Sequence, residues 1–297
     1  MTLGRRQACF GSAALFASLA GAPSAGASEC PGFETRTLEI PGEKLARRCR
    51  LLVPRDGARP RRVLVLLHGL GETKSETLGI GAWTERYGVC EAYERLRKPP
   101  VRRTLADAVY LTDTRLAELD RELDRAPFRG FAIACPFTPN VFRVGPTPAV
   151  LDRYAAWLVD GVVPELAREL GIDRLRVGLD GVSLGGFAAL EVFLRRPEAF
   201  ASIGSLQGAL SEHSADTYAA RFERAFAASG RRPLRIATSS WDSGRAANER
   251  LVERLAKRDI HASLSVPPGP HDQRFLREAG CLELLLWHDR ALPETAA

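Results

Sequence analysis

Several residue types and patterns are scarce or missing in this chain of 297 residues. It has one methionine, five histidines and very few lysines, so that arginine supplies nearly all of its 42 basic residues. It contains no C-x-x-C pair and no histidine–cysteine cluster, which argues against a metal site. The formal charge of +6 is spread along the chain among acidic residues, and no basic stripe is interleaved with aromatic side chains. These absences predict no nucleic-acid partner and no metal.

The sequence also lacks an apolar run of membrane-spanning length after its first residues. The mildly apolar run from Ala8 to Ala20 follows Arg5 and Arg6, is too short to cross a bilayer and precedes several small residues. This order is typical of an export signal cleaved before Ser28, so residues 1–27 are predicted to be a signal peptide. The paired arginines favour the twin-arginine route, although the residues that follow them depart from its usual pattern. The mature protein would be periplasmic or extracellular, without stable membrane insertion; an alanine-rich flexible tail is the alternative.

Export would place the cysteines in an oxidising compartment, where disulfides form. Five cysteines remain beyond the predicted leader, so at least one thiol stays unpaired. The favoured pair is Cys30–Cys49, because it would link the mature N-terminus to an early strand. Cys90–Cys135 is a weaker alternative. The apolar neighbours of Cys135 and Cys281 indicate that these two could be ordinary buried thiols.

Strand-like and helix-like segments alternate along the chain, which is typical of a mostly parallel sheet with helices on both faces. We predict eight strands, the first two antiparallel, at Phe33 to Ile40, Arg47 to Val53, Arg62 to Leu67, Gly130 to Cys135, Leu175 to Leu179, Ala199 to Leu206, Pro233 to Ser239 and His261 to Val266. We expect helices at 114–125, 147–170, 186–194, 216–229, 245–258 and 275–290. Residues 28–297 are therefore predicted to form one α/β domain.

The stretch 72–129 interrupts this alternation. It lies between two predicted core strands and is much longer than a simple crossover requires. One interpretation is a helical excursion packed on the core. The other is a cap insertion that shapes a substrate pocket, and the two can hold together.

The most informative motif is Gly181-Val182-Ser183-Leu184-Gly185. It matches the G-x-S-x-G pattern of a nucleophile elbow, which turns sharply from a strand into a helix and exposes a serine hydroxyl. An apolar strand precedes it and a helical pattern follows it, as the motif demands. The glycines have a steric reason, because any side chain would crowd so tight a turn. Ser183 is therefore predicted to be a nucleophile.

A serine hydroxyl needs a base to take its proton, and a histidine base needs a carboxylate to orient it. Asp242 lies in the loop after the seventh predicted strand, where sites form in parallel sheets. His271 ends a rigid Pro/Gly loop after the last strand. The order Ser183, Asp242, His271 is the one expected of this motif.

Each member of this predicted triad has a competing interpretation. Asp242 could instead cap the helix that follows it, and Asp216 is its main rival as the acid. Three other histidines fit the role of base less well, because of their position before Asp242, at the start of a strand or within the last helix: His213, His261 and His288.

The tetrahedral oxyanion requires positioned N–H donors. One should be the backbone N–H of Leu184, directly after the nucleophile. The other should come from the loop after the third strand, which reads His68-Gly69-Leu70-Gly71, and we assign it to Leu70. His68 is interpreted as a residue that organises this loop through hydrogen bonds.

Together these features resemble the α/β-hydrolase superfamily and, more narrowly, the esterase D-like group, which includes feruloyl esterases, enterochelin esterases and mycolyltransferases. The resemblance runs from about His68 to His271 and rests on Leu67-His68-Gly69, Gly181 to Gly186, Asp242 and Gly269-Pro270-His271. It implies an α/β-hydrolase fold with a helical insertion after the third strand. It also implies hydrolysis of carboxylic esters, small or polymer-linked, through an acyl-enzyme without a cofactor.

The substrate and the reaction leave alternatives open. Trp83, Phe137, Phe142 and Trp241 could form an aromatic wall for the substrate, or belong to the core. An acyltransferase or a serine peptidase would use the same triad, since both proceed through an acyl-enzyme. A catalytically silent secreted binding protein on the same scaffold is the alternative of another class.

Overall fold

The computed structural model describes residues 30–43, 46–55, 60–105, 109–143, 145–172 and 176–293. The predicted signal peptide, 1–27, and the first residue of the predicted fifth strand, Leu175, lie outside the described residues. Among the residues described, no helix combines the length and the apolar character needed to cross a membrane.

The core of the structure is an eight-stranded sheet in the order β1-β2-β4-β3-β5-β6-β7-β8. Its strands are β1 Phe33–Glu43, β2 Ala46–Pro54, β3 Arg62–Leu67, β4 Ala132–Pro136, β5 Arg176–Gly181, β6 Ser202–Leu206, β7 Leu234–Ala237 and β8 Ser263–Ser265. The pairs β1–β2 and β2–β4 are antiparallel, and the other five pairs are parallel. All eight strands were predicted from the sequence, including the antiparallel opening pair.

Helices cover both faces of this sheet, as the alternation of segments predicts. They are α1 Glu76–Gly81, α2 Val89–Arg97, α3 Asp113–Arg125, α4 Pro148–Ala156, α5 Val163–Leu170, α6 Leu184–Phe193, α7 Ala215–Ser229, α8 Arg245–Ala256, α9 Gln273–Phe275 and α10 Cys281–Ala291. The single helix expected at 147–170 is divided into α4 and α5 by a π-helical turn, Trp157–Val162. Pro164 follows this turn and has no N–H to donate, so a regular helix could not continue unbroken there.

Strand β3 shows how the two faces are separated. Every residue of it is buried, as the continuous apolar run predicts. Val63, Val65 and Leu67 pack into the core under α4 to α8, whereas Leu64 and Leu66 pack into the core under α2, α3 and α10. Alternate side chains of one strand thus serve two cores.

The described parts of the segment 72–129 lie on the second of these faces. Helices α2 and α3 place Tyr93, Leu96, Leu119 and Leu123 in the same core as Leu282 of α10. The interpretation as a helical excursion packed on the core therefore describes this part of the chain. That the segment also shapes a substrate pocket stays a prediction.

The predicted disulfide between Cys30 and Cys49 is wrong. Cys30 pairs with Cys90 at the start of α2, with their Cα atoms 5.7 Å apart. Cys49 stands opposite Leu38, in the middle of the β1–β2 ladder, whereas Cys30 precedes the first ladder pair. The two cysteines also belong to different cores. Cys49 is a free buried thiol, as are Cys135 and Cys281, so the alternative pair Cys90–Cys135 is wrong too.

This pairing gives a test by reductant. A covalent link across 60 residues restricts the unfolded chain, so breaking it should lower the free energy of unfolding by about 2–4 kcal/mol. We expect reductant to destabilise the parent protein in urea denaturation and to have no further effect on a Cys90→Ser variant. A Cys49→Ala variant is the matched control and should stay sensitive to reductant. If reductant did not change the stability of Cys49→Ala, the result would support the Cys30–Cys49 pairing instead.

Candidate active site

Ser183 lies in the turn between β5 and α6, at the carboxyl edge of the sheet. Its backbone has φ 57° and ψ −115°, a conformation that residues other than glycine rarely adopt. The turn is crowded: a Cβ on Gly181 would lie 2.4 Å from the carbonyl oxygen of Gly185, and one on Gly185 would lie 2.1 Å from the carbonyl oxygen of Leu67. The steric reason given for both glycines is therefore observed. Strained backbone of this kind concentrates at functional sites.

Two backbone N–H groups lie beside this turn. Leu184 is the first residue of α6, and Leu70 is the first residue of a 3₁₀ turn, Leu70–Glu72. N–H groups in a first turn have no acceptor within their own helix. Because β3 and β5 are paired in parallel up to Leu67 and Gly181, the loops that carry these two N–H groups leave the sheet side by side. Their role as oxyanion donors stays a prediction.

Asp242 and His271 form a hydrogen-bonded pair. His271 Nδ1 lies 2.9 Å from Asp242 Oδ1. The same carboxylate accepts hydrogen bonds from Thr238 Oγ1 at 2.6 Å and from the Gly244 N–H at 2.9 Å. Burial alone would raise the pKa of Asp242, but the hydrogen bonds from His271, Thr238 and Gly244 outweigh it and lower that pKa. Asp242 is thus an ionised partner for the imidazole.

The structure also bears on the alternatives to Asp242 as the acid and to His271 as the base. Gly244, not Asp242, is the N-cap of α8. Asp216 lies on α7 with an exposed side chain that pairs with Arg254. His288 is fully buried and hydrogen-bonded to Asp180. Of the two candidate acids, Asp242 and Asp216, the structure therefore places Asp242 beside His271.

One residue, Gln207, connects the serine turn to the histidine loop. The Ser183 N–H donates to the carbonyl oxygen of Leu206 at 3.0 Å, and Gln207 follows directly. The Gln207 side chain is buried, and its Nε2 donates to Pro270 O at 3.0 Å and to Ser239 Oγ at 2.7 Å. Since Pro270 precedes His271, one amide holds the loops after β6, β7 and β8 together.

His68 organises the loop after β3, as predicted. Its Nε2 accepts a hydrogen bond from the Thr138 N–H at 2.9 Å, which leaves Nδ1–H to donate to Gly69 O at 2.9 Å. Burial lowers the pKa of His68 to about 4. The imidazole is therefore neutral and joins the loops after β3 and β4.

A second set of contacts holds the same loop from the segment 72–129. The Gly69 N–H donates to the Tyr87 hydroxyl at 3.2 Å, and Tyr87 donates in turn to the Glu72 carboxylate. Glu72 also lies 3.6 Å from Arg86 Nη1. Both residues before Leu70 are thus fixed by side chains, which positions the Leu70 N–H.

The architecture can be compared with known proteins. No protein-family model matches the chain, and no curated protein matches its sequence. Solved structures do match it. A ferulic acid esterase is 16% identical over 88% of this chain and 98% of its own length, with a TM-score of 0.61. An S-formylglutathione hydrolase from Staphylococcus aureus is 13% identical over 86% and 98%, with a TM-score of 0.58. A bacterial heroin esterase is 19% identical over 89% and 86%, with a TM-score of 0.55.

The chain has the α/β-hydrolase fold. This confirms the fold class expected from the sequence, with the helical insertion after β3. In this α/β-hydrolase fold the predicted nucleophile, acid and base all lie in loops at the carboxyl edge, after β5, β7 and β8 respectively. In the described part of the chain, no group of three or more His, Cys, Asp or Glu side chains is arranged to hold a metal ion.

The four predicted substrate residues divide into two pairs. Trp83 is fully buried against Tyr87, and Phe137 is buried against His68. Neither the Trp83 ring nor the Phe137 ring is open to a ligand. Phe142 and Trp241 are 44% and 67% exposed and lie in loops at the carboxyl edge.

Sequence reasoning missed two residues that shape this site, Gln207 and Thr238. Gln207 stands directly after β6, and Thr238 stands directly after β7. A polar residue at the carboxyl end of a core strand is the signal that could have identified both. Their partners come from distant loops, which no spacing rule reveals.

The buried neutral His68 predicts a pH dependence of stability. The unfolded chain binds this proton below about pH 6.5, but the folded protein binds it only below about pH 4. Stability is therefore complete above pH 6.5 and is lost as the pH falls, by about 2 kcal/mol between about pH 7.5 and about pH 5. A His68→Asn variant should lose less stability over this range in urea denaturation. His261→Gln, at an exposed histidine, should behave like the parent; equal losses in all three proteins would contradict the assignment.

The Gln207 contacts predict a loss of turnover. Gln207 has φ 48°, and asparagine tolerates this region while its shorter amide cannot reach Pro270. We expect Gln207→Asn to keep the fold and to lower kcat for an ester substrate by about tenfold, with KM little changed, because a hydrogen bond that orients the base is lost. Steady-state kinetics and a thermal melt measure both effects. Unchanged kcat with a lower melting temperature would show a structural role only.

Proposed function

We propose that this chain is a serine hydrolase that cleaves carboxylic esters through an acyl-enzyme. The observation that carries the proposal is the strained turn at Ser183 together with the Asp242–His271 hydrogen bond at the same edge of the sheet. The solved structures that share its fold include proteins named as esterases and serine hydrolases, which supports the same class of reaction.

This geometry supports a mechanism that begins with transfer of the Ser183 proton. His271 donates from Nδ1 to the ionised Asp242, which leaves Nε2 to accept the Ser183 proton. Ser183 Oγ then attacks the ester carbonyl, and the oxyanion binds the N–H groups of Leu70 and Leu184. The N-terminus of α6 adds a favourable dipole at this point.

In the following steps His271 acts first as an acid and then again as a base. His271, now protonated, gives its proton to the leaving alkoxide, and an alcohol departs. A water molecule then loses a proton to His271 and attacks the acyl-Ser183 ester. The carboxylic acid leaves, and Ser183 recovers its hydroxyl proton. No metal is assigned a task in these steps.

The exposed apolar side chains support a substrate with an apolar group. Five large hydrophobic side chains are exposed in the described residues, and three of them lie in loops at the carboxyl edge: Leu70, Phe142 and Trp241. Phe142 also packs on Phe187 of α6, with ring centroids 5.1 Å apart. We propose that Phe142 and Trp241 contact the acyl or alcohol group of the ester.

Export is part of the proposal. The disulfide between Cys30 and Cys90 is of the kind that persists in oxidising compartments. It supports the assignment of residues 1–27 as a signal peptide and a periplasmic or extracellular location.

The reaction is tested by hydrolysis of p-nitrophenyl butyrate. Ser183→Ala removes the nucleophile, and kcat should fall by at least about a thousandfold. Ser211→Ala, at an exposed serine, is the matched control and should keep the parent rate. Release of butyric acid distinguishes hydrolysis from transfer to another acceptor. Parental turnover in the Ser183→Ala variant would refute the proposal.

The apolar contacts are tested with esters of increasing acyl size. Trp241→Ala should raise KM about tenfold for a phenylpropionyl ester and change it little for an acetyl ester, because only the larger group reaches the ring. Leu264→Ala, which removes another exposed apolar side chain, on β8, is the control. The same effect on both esters, or on the control, would exclude Trp241 from the substrate site.

A further inference from the structure

A cavity lies at the opposite edge of the sheet from Ser183. It has a volume of about 520 Å³, within the range of small-molecule sites. Its walls come from the amino ends of β7 and β8, the residues after α7 and the end of α10. Because β5, β7 and β8 run parallel, this amino edge is separated from the carboxyl edge by the length of the strands.

Three arginines give the wall of the cavity positive charge: Arg231, Arg232 and Arg290. His261 also lines it, and none of its lining residues is acidic. Fixed guanidinium groups without a neutralising carboxylate in the wall favour an anionic ligand.

The two neighbouring arginines are held by main-chain oxygens. Arg231 Nη1 donates to the carbonyl oxygen of Asp259, and Arg232 Nε donates to that of Phe200 at 3.0 Å. Neither arginine forms an ion pair with a carboxylate in the part of the chain that the structure describes. These bonds orient the guanidinium groups and leave their charge uncompensated.

The third arginine, Arg290, shares a carboxylate with two other arginines. Arg290 Nη1 lies 2.9 Å from Asp289 Oδ2. The same Asp289 carboxylate also pairs with Arg62 at 2.9 Å and with Arg129 at 3.5 Å. Within the described residues, one carboxylate thus pairs with three guanidinium groups, so Asp289 does not by itself neutralise Arg290.

The floor of the cavity is apolar. Phe226, Leu234 and Ile260 line it and belong to the sheet core, and the half-buried ring of Trp287 forms one side. An inorganic anion would leave this surface unused. A ligand that combines a negative group with an apolar body would use both parts.

We propose that this cavity binds a small organic carboxylate with an aromatic or short aliphatic body. The carboxylate would pair with Arg231 and Arg232, and the body would pack on Phe226 and Trp287. The site does not depend on the proposed ester hydrolysis. Since hydrolysis also releases a carboxylate, the experiment must separate this cavity from the loops around Ser183.

The test is isothermal titration of the full chain with 3-phenylpropionate at low salt. We expect one bound molecule per chain. The neutral 3-phenylpropanamide should bind at least about tenfold more weakly, because it lacks the charge-assisted hydrogen bonds. Inorganic phosphate should also bind more weakly, because it does not contact the apolar floor. These comparisons use the unaltered protein, so they do not depend on whether a variant folds.

Variants then locate the site. Arg231→Ala with Arg232→Ala should weaken 3-phenylpropionate binding at least about tenfold. Arg250→Ala, on a partly exposed arginine of α8, and Trp241→Ala, at the carboxyl edge, should leave it unchanged. Binding lost in Trp241→Ala but kept in the double variant would place the ligand near Ser183 and overturn the proposal. Equal binding of the acid and the amide, or no saturable binding, would overturn it as well and leave the arginines as partners of main-chain oxygens only.

Discussion

The turn at Ser183 is the constraint on which the rest of the carboxyl edge depends. A positive φ at a serine is costly, and the structure supports it by close packing around Gly181 and Gly185. The Ser183 N–H is fixed by Leu206 O of the neighbouring strand. The Ser183 backbone therefore has a defined position relative to β3, β5 and β6.

The surrounding loops are tied to that position by buried polar groups. Gln207 carries the connection from β6 to the loop of His271, and Asp242 fixes the imidazole from β7. On the other side, His68 and Tyr87 hold the loop that presents the Leu70 N–H. Each of these groups is buried and hydrogen-bonded, so displacing one would leave another without a partner. Pre-organisation of this kind is what the proposed acyl transfer requires.

Local patterns predicted most of the fold, because most of its strands and helices are encoded in short stretches of sequence. The buried strand β3 and the turn at Ser183 could each be predicted from their own residues. The disulfide could not be predicted in this way, because cysteine pairing depends on sheet register and on the face of the sheet that Cys49 occupies. The role of Gln207 was not predicted, because its side-chain hydrogen bonds form only where three loops meet. Trp83 and Trp241 are the same residue type, and only the packed structure shows that Trp83 is buried and Trp241 is exposed.

The central claim is that Ser183 attacks an ester whose oxyanion binds between Leu70 and Leu184. A crystal structure after reaction with a p-nitrophenyl alkylphosphonate tests it most directly, since the adduct imitates the tetrahedral intermediate. We expect phosphorus bonded to Ser183 Oγ, with one phosphonyl oxygen about 2.7–3.1 Å from both backbone nitrogens. An adduct on another residue, or a phosphonyl oxygen turned away from both N–H groups, would contradict the account.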